Sequence, residues 1–317
     1  SPQRAPIAAV RPRARSRAMR CEDAQGLNRA VSAATDARAL EDLVRENEGL
    51  MNAINCANVA GRAAKMCARA EVGRSRDDAA GRAARAVLRR VADVAAASMR
   101  ETPNEWWPRQ CATVVWACGR AGARHEEVER AMEGMVEKRA RAFKPQELSN
   151  AFWGLAKVNS DRTGLYAILG ERIRVSLLVD TGTDHQTGWT PQGVSNVAWS
   201  LGSMTPETRR AMFEESALGK ELVAGVATAL EARVDMFNPQ ECANTMSGFA
   251  KCVSVAREDA ERGAKVLASR LKRDKTWMTD GQFQCQHVSN VVWACAKLNM
   301  NDDAELIDVL VRASDAY

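Results

Sequence analysis

One short sequence pattern recurs along this chain at intervals of 37 to 55 residues. Its clearest copies are FKPQELSNAFWGLAK, WTPQGVSNVAWSLGS, FNPQECANTMSGFAK and FQCQHVSNVVWACAK, which begin at residues 143, 189, 237 and 283. Two looser copies end near residues 66 and 120. Repeats of this length are typical of stacked helical arrays, in which each unit buries its apolar face against its neighbours. Such an array presents a long surface suited to an extended ligand.

The copies align without gaps when they are counted from one polar residue of each copy, called the anchor here. The anchors are Asn58, Thr113, Asn150, Asn196, Asn244 and Asn290. Four copies carry proline five residues before the anchor, where it suits the first turn of a helix. Apolar or small residues follow the anchor by two, five and six positions, as Phe152, Leu155 and Ala156 do. Each core therefore predicts a helix of about four turns with that side facing inward.

A second helical pattern follows each of the last five cores, at 126–142, 164–178, 220–236, 260–273 and 303–316. The repeating unit is thus predicted to be a helical hairpin. The expected fold is all-α: a right-handed α-solenoid of about six hairpins over residues 26–317, with 46% apolar residues to form its core. The predicted repeat cores lie near 51–66, 106–120, 143–158, 189–203, 237–252 and 283–298.

Residues 1–25 have a different composition from the rest of the chain. The first 20 residues contain six arginines and no acidic residue, as organellar transit peptides do. The alternative is a disordered basic arm that binds nucleic acid non-specifically. Because the formal net charge is +5, the residues after position 20 carry about one net negative charge.

The residues that usually carry catalysis or bind metals do not form recognisable motifs here. The chain has no glycine-rich phosphate loop, no HExxH and no GxSxG, and its three histidines lack partners at metal-ligand spacing. Its nine cysteines form no CxxC pair, and several replace apolar residues at core positions, which indicates a reducing compartment. No apolar run approaches the ~20 residues of a membrane span. We therefore expect no enzyme activity, no cofactor, no metal, no small-molecule substrate and no membrane contact.

The recurrent string Pro-Gln-x-x-x-Asn-x-x-Trp-x-x-Ala-Lys, with an aromatic residue two positions before the proline, resembles the octotricopeptide repeat of organellar RNA-metabolism factors. That family is related to the FAST-kinase-like proteins, and residues 27–65 resemble the helices that often precede its arrays. The resemblance implies an α-solenoid that binds single-stranded RNA in the chloroplast or mitochondrion, at roughly one nucleotide per repeat. It also implies a role in RNA processing, stability or translation, with other RNA-processing proteins as further partners.

The sequence departs from the family's pattern in two respects. The family's frequent C-terminal RAP domain has no counterpart here, so the natural protein is expected to continue past residue 317, together with any nuclease-like activity. The first two copies depart from the pattern, with Met51 at the aromatic position, Gly61 in place of tryptophan and Thr113 in place of asparagine. RNA contact is therefore expected mainly from the later copies.

Helical spacing also indicates which side chains form the binding face. Positions three before, at, four after and seven after the anchor share one side of a helix. The cations seven after the anchor are predicted to contact phosphates: Lys65, Arg120, Lys157, Lys251 and Lys297. The candidates for reading bases are the residues three before the anchor and the anchors themselves: Gln110, Glu147, Glu241, His287, Asn150, Asn196, Asn244 and Asn290.

Each of these interpretations has a structural alternative. An acidic residue three before the anchor also suits a helix N-terminus, and the anchor amides are expected to form a hydrogen-bonded ladder between repeats. The tryptophans three after the anchor are expected to pack in the core, so that Trp153→Ala would open a cavity. For the whole chain, a protein-binding scaffold of the armadillo or HEAT type is the competing function, because the array is almost neutral.

Overall fold

The computed structural model describes residues 23–71, 79–180, 188–274, 277 and 282–315. Fifteen α-helices lie in these residues, which contain no β-strand, so the all-α prediction is confirmed. Nearly all of the predicted targeting segment, residues 1–25, falls outside the described residues. The first helix begins at Ala24, with the Asp23 carboxylate accepting the amide N–H of Gly26 as its N-cap.

The helices form two rows, in which each helix contacts the next helix of its own row. The first row consists of α1 (Ala24–Ala33), α3 (Ala53–Glu71), α5 (Pro108–Ala121), α7 (Pro145–Lys157), α9 (Pro191–Leu201), α12 (Pro239–Cys252) and α14 (Cys285–Lys297). The second row consists of α2 (Ala37–Asn47), α4 (Ala79–Glu101), α6 (Glu126–Arg139), α8 (Thr163–Leu178), α11 (Leu218–Glu231), α13 (Arg257–Arg273) and α15 (Ala304–Asp315). Each first-row helix also contacts the second-row helix that follows it in the chain.

The repeat cores of the sequence form the helices of the first row from α3 onward. Four of these helices begin at the predicted prolines, Pro108, Pro145, Pro191 and Pro239. Proline is accommodated there because the first-turn N–H would have no partner within the helix. The predicted second helices are confirmed as well, with ends within about three residues or with a terminal 3₁₀ turn, as at 140–142 and 234–236.

Two helices have no counterpart among the ranges predicted from the sequence: α4, which follows the first core, and a short helix after the fourth core. The short helix α10 (Pro206–Phe213) lies between α9 and α11 in the chain and contacts α8 and α11. Thr205 caps it by accepting the amide N–H of Thr208. This insertion accounts for part of the long interval of 48 residues between the anchors Asn196 and Asn244.

A buried large side chain joins each hairpin to the next. It lies seven residues before the anchor and is at most 9% exposed in every copy: Met51, Trp106, Phe143, Trp189, Phe237 and Phe283. A 3₁₀ turn immediately precedes four of these residues, at Glu48–Leu50, Pro103–Glu105, Ala140–Ala142 and Val234–Met236. The indole N–H groups of Trp106 and Trp189 donate to the hydroxyls of Ser98 and Ser176, which satisfies their only polar atoms.

Adjacent helices of the first row touch at glycine residues. A Cβ atom on Gly154 of α7 would lie 2.6 Å from the carbonyl oxygen of Val115 in α5, and one on Gly119 would lie 2.7 Å from the Cα of Gly154. A Cβ atom on Gly248 of α12 would likewise collide with the carbonyl oxygen of Ala198 in α9. Only a residue without a side chain allows the backbones to approach so closely. The small residues of the pattern therefore set the distance between neighbouring repeats.

The described cysteines behave as the sequence analysis predicted. Seven of them are buried, and Cys285 is the exposed exception. Burial raises the pKa of the Cys111 and Cys242 thiols to about 12, so these groups stay protonated and serve as small apolar side chains.

Ion pairs between neighbouring hairpins concentrate along the second row. Arg100 of α4 contacts Glu127 of α6 at 2.9 Å, and Arg262 of α13 contacts Glu231 of α11 at 2.6 Å. Each such exposed pair contributes little stability, on the order of 0–1 kcal/mol. Their main consequence is electrostatic, because carboxylates of the second row face arginines of the same row.

Candidate nucleic-acid interface

The outward surface of the first row carries a groove of about 730 Å³ that extends across α1, α3, α5, α7 and α9. Its cationic lining residues are Arg62, Lys65 and Arg109. Its amide side chains are Asn58, Gln110, Gln146, Asn150 and Gln192. No carboxylate belongs to the described lining of this groove, which is otherwise formed by Trp116, small residues, hydroxyls and two aliphatic side chains.

The position of the groove differs from the expectation that the later copies make the main contacts. It is centred on α3 and α5, the helices of the two divergent copies, and includes Gly61 and Thr113. The physical reason is that smaller side chains at these positions leave open space. A Cβ atom on Gly61 would meet only the Thr113 methyl group, at 3.9 Å.

The anchor amides do not form the hydrogen-bonded ladder that the sequence analysis favoured. Asn58 donates to Asn28 at 2.8 Å, but no hydrogen bond joins the side chains of the later anchors to other groups in the described part of the chain. These later anchors are Asn150, Asn196, Asn244 and Asn290, and all four are partly exposed. Their amides therefore remain available to a ligand that approaches the first row.

The residues three before the anchor mainly cap their own helices. A carboxylate oxygen of Glu147 accepts the amide N–H of Lys144 at 2.8 Å, and one of Glu241 accepts that of Asn238 at 2.9 Å. The Nδ1 atom of His287 accepts the amide N–H of Gln284 at 3.2 Å. Burial raises the pKa of Glu241 and lowers that of His287. These contacts correspond to the capping alternative, and base reading by the three residues stays a prediction.

Gln110 is the candidate at this position that lines the groove, where it lies beside Thr113. Its carbonyl oxygen Oε1 is buried and has no hydrogen-bond partner among the described residues. Among the candidates three before the anchor, it is thus the one whose polar group does not cap its own helix.

The tryptophans three after the anchor are not core residues. Trp116, Trp153 and Trp199 are only partly buried, and Trp293 is 40% exposed. The first three form a continuous ladder along the first row, with ring centroids 6.5 and 6.2 Å apart. The expectation that they fill the core is wrong, because the core at each junction is already filled by the large side chain seven residues before the anchor.

The five predicted phosphate-binding cations, Lys65, Arg120, Lys157, Lys251 and Lys297, are all exposed. Two of them also lie over the tryptophan ladder. The ammonium group of Lys157 is 5.0 Å from the ring centroid of Trp199, and that of Lys251 is 5.9 Å from the same ring. Of the five cations, Lys65 lines the groove itself.

Sequence analysis overlooked the residues four before the anchor, although they recur as visibly as the others. They are Arg109, Gln146, Gln192, Gln240 and Gln286, and every one is exposed. A side chain that recurs at an exposed position is not required by the core, and this was the available signal. Helical spacing places it on the same face as the anchor and the tryptophan.

The remaining features of the surface and the comparisons give no other assignment. Within the described ranges, no group of three or more histidine, cysteine or acidic residues could hold a metal ion, and no helix is long and apolar enough to cross a membrane. No protein-family model matches the chain, and no curated protein is significantly similar to it. The interpretation of the groove therefore depends on its own residues.

Proposed function

We propose that the first-row groove binds single-stranded RNA. The observation that carries this proposal is its lining, which combines three cations, five amide side chains and an aromatic ring without a carboxylate. Cations neutralise phosphates, amides donate to and accept from base edges, and aromatic rings stack on bases without regard to sequence. A groove with these three groups side by side suits an unpaired strand.

The near-neutral charge of the array does not oppose this proposal, because the charges are distributed unequally. Carboxylates of the second row are paired with arginines, as in Arg174–Glu221 and Arg262–Glu231. In the first row, Glu147 and Glu241 bind backbone N–H groups of their own helices. The groove cations therefore face a ligand without competing acidic neighbours in the groove lining.

At the scale of the whole chain, we propose that the hairpins continue as a right-handed α-solenoid of about six repeats. The helix-to-helix contacts within each row support this arrangement. The resemblance to octotricopeptide repeats and the acid-free N-terminal sequence support an organellar role in RNA processing, stability or translation.

A protein-binding scaffold is the second candidate. Exposed apolar side chains on the last two helices favour it, among them Val292, Trp293, Ile307 and Val311. Exposed apolar groups of this kind are typical of protein contacts. The two functions differ in their dependence on salt, which provides the test.

The test replaces three exposed first-row cations together: Lys65→Gln, Arg109→Gln and Arg120→Gln. Binding of the full chain to a random-sequence 20-nucleotide RNA pool is measured by fluorescence anisotropy over a range of salt concentrations. We expect the slope of log affinity against log salt to fall by roughly 0.7 for each lost phosphate contact, or about 2 in total. Circular dichroism checks that the variant remains helical.

The matched control removes the same charges beside the second row, with Arg89→Gln, Lys138→Gln and Arg141→Gln, all exposed in the wild type. This variant should keep the wild-type slope. If the two variants lose the same slope, binding is a general effect of net charge. If the wild type does not bind the pool, the protein-scaffold function is favoured.

A further inference from the structure

The tryptophan ladder stops at Trp116. In the next repeat towards the N-terminus, the equivalent position three after the anchor holds Gly61, so that copy supplies no indole to extend the ladder. The other neighbour of Trp116 is Trp153, with ring centroids 6.5 Å apart. The missing ring leaves space within the groove, since both Gly61 and Trp116 line it.

The space beside Gly61 is open to a planar group. A Cβ atom built there would contact only Thr113, at 3.9 Å, whereas one on Gly154 in α7 would collide with backbone at 2.6 Å. Gly61 is therefore not required by close packing of helices. Its effect is to leave an open space within the groove, called the slot here, and Trp116 of α5 lines the same groove.

At the other end of the ladder, a lysine lies over the last tryptophan ring, which is not the case at Trp116 in the described part of the chain. Beyond Trp199 the equivalent residue is Ser247, but the Lys251 ammonium lies 5.9 Å from the Trp199 ring centroid. Lys157 lies over Trp153 and Trp199 in the same manner. Within the described residues, no cation covers Trp116, which packs partly against the core but also lines the groove, where it can stack on another group.

Two unsatisfied polar atoms belong to residues of the same groove. The Nε atom of Arg62 is a buried donor and the Oε1 atom of Gln110 a buried acceptor, and neither has a hydrogen-bond partner among the described residues. Buried polar groups without partners are rare and call for an explanation. A base edge carries both donors and acceptors, so it could satisfy both after small side-chain adjustments.

We propose that one base of the bound RNA stacks on Trp116 in the space left by Gly61, with Lys65 and Arg109 contacting the adjacent phosphates. The proposal rests on the RNA-binding function proposed above and adds to it a specific subsite. In this arrangement the divergent first copy supplies the place where a base enters the ladder.

The direct test fills the slot with the ring that the other copies contain, in the variant Gly61→Trp. Its affinity for the 20-nucleotide RNA pool should fall on the order of tenfold, as expected when one base–aromatic stack is lost. Its affinity for an abasic oligonucleotide of the same length should remain unchanged, because the phosphate contacts are kept. The control Gly134→Trp places the same side chain in open space on α6, and it should bind both ligands as the wild type does.

A second measurement uses the wild-type protein and does not depend on the variant folding. The RNA pool is prepared with 4-thiouridine, crosslinked with ultraviolet light and digested together with the protein by trypsin. The tryptic peptide 110–120 contains Trp116 as its only aromatic residue, and we expect a major crosslink there.

The outcomes separate the two proposals. RNA binding by the wild type, combined with unchanged affinity in a folded Gly61→Trp variant, would overturn the Trp116 subsite and leave RNA binding intact. Crosslinks that avoid peptide 110–120 would also overturn the subsite. A wild type that binds neither the pool nor the abasic oligonucleotide would refute RNA binding itself, and the subsite with it.

Discussion

Two positions of the repeat that hold large rings in most copies have opposite environments. Phe237, seven residues before its anchor, is 1% exposed, whereas Trp153, three residues after its anchor, is only partly buried. The difference arises from geometry. The first position ends a 3₁₀ turn between hairpins, and the second lies on the outward face of a first-row helix beside the rings of adjacent repeats.

Substitutions at the two positions should therefore lower the free energy of unfolding by different amounts. Phe237→Ala should lower the free energy of unfolding by about 3–5 kcal/mol, because it leaves a cavity in the core. Trp153→Ala should cost only about 2 kcal/mol, since less apolar area and two ring contacts are lost. Urea unfolding followed by circular dichroism measures both. Equal losses would show that the tryptophan ladder belongs to the core.

Sequence analysis could predict the recurrence of these residues but not their environments. Composition and spacing treat tryptophan as an apolar residue, so Trp116, Trp153 and Trp199 were placed in the core. Which face of a helix is buried depends on how the next helix packs, and that packing is set by glycines such as Gly154 and Gly248, whose contacts lie in another helix. The capping role of Glu147 was among the alternatives because it depends on residues close in sequence.

At the level of secondary structure, the spacing of first-row helices depends on close backbone contacts. Gly154 and Val115 illustrate this, since an added Cβ atom on Gly154 would lie 2.6 Å from the Val115 carbonyl oxygen. Backbone atoms cannot move aside as a flexible side chain can. Any side chain at residue 154 must therefore push α5 and α7 apart.

A pair of glycine substitutions tests this role. Gly154→Ala should destabilise the protein by about 1–3 kcal/mol through overpacking. Gly134→Ala, in α6, meets no atom within 4 Å and should stabilise it by about 0.4–1 kcal/mol, because alanine reduces the entropy of the unfolded chain. Thermal unfolding of the two variants gives the comparison. Stabilisation by Gly154→Ala would mean that α5 and α7 are not held in close contact.

The helices of the repeat cores were predictable from the sequence because their copies align on one pattern and four of them begin with a clear start signal, a proline in the first turn. Helix α10 was not predicted, although Thr205 and Pro206 are such a signal. Its eight residues are too few to show a helical period. Insertions of this kind lengthen the interval between two copies without adding a copy of the pattern. Aligning the copies therefore does not reveal them.

For the whole molecule, the unequal distribution of charge is more informative than the net charge. The sequence alone gives an almost neutral array, which favoured a protein scaffold. Ion pairs along the second row, such as Arg100–Glu127 and Lys272–Asp303, neutralise carboxylates of that row. The groove of the first row keeps its cations. Contacts between hairpins determine which charges form pairs. The repeat pattern of the sequence does not predict these contacts.

The N-terminal segment provides a prediction for the whole chain in the cell. A fluorescent fusion lacking residues 1–22 keeps the Asp23 cap of the first helix and should fold normally. Without the six arginines of this segment, we expect it to stay in the cytosol, while the intact chain enters an organelle. Microscopy in a cell with both chloroplasts and mitochondria measures this. Organelle entry by the truncated fusion would contradict the targeting role.

The 3₁₀ turns between hairpins have a consequence for the evolution of such a protein. They precede Met51, Trp106, Phe143 and Phe237. Each turn, with its buried side chain, forms the same junction between one hairpin and the next. A gene duplication or deletion with both ends in such turns would add or remove one complete hairpin and rejoin compatible surfaces. The length of the groove, and hence the length of the strand it accommodates, could then change in whole steps without redesign of the core.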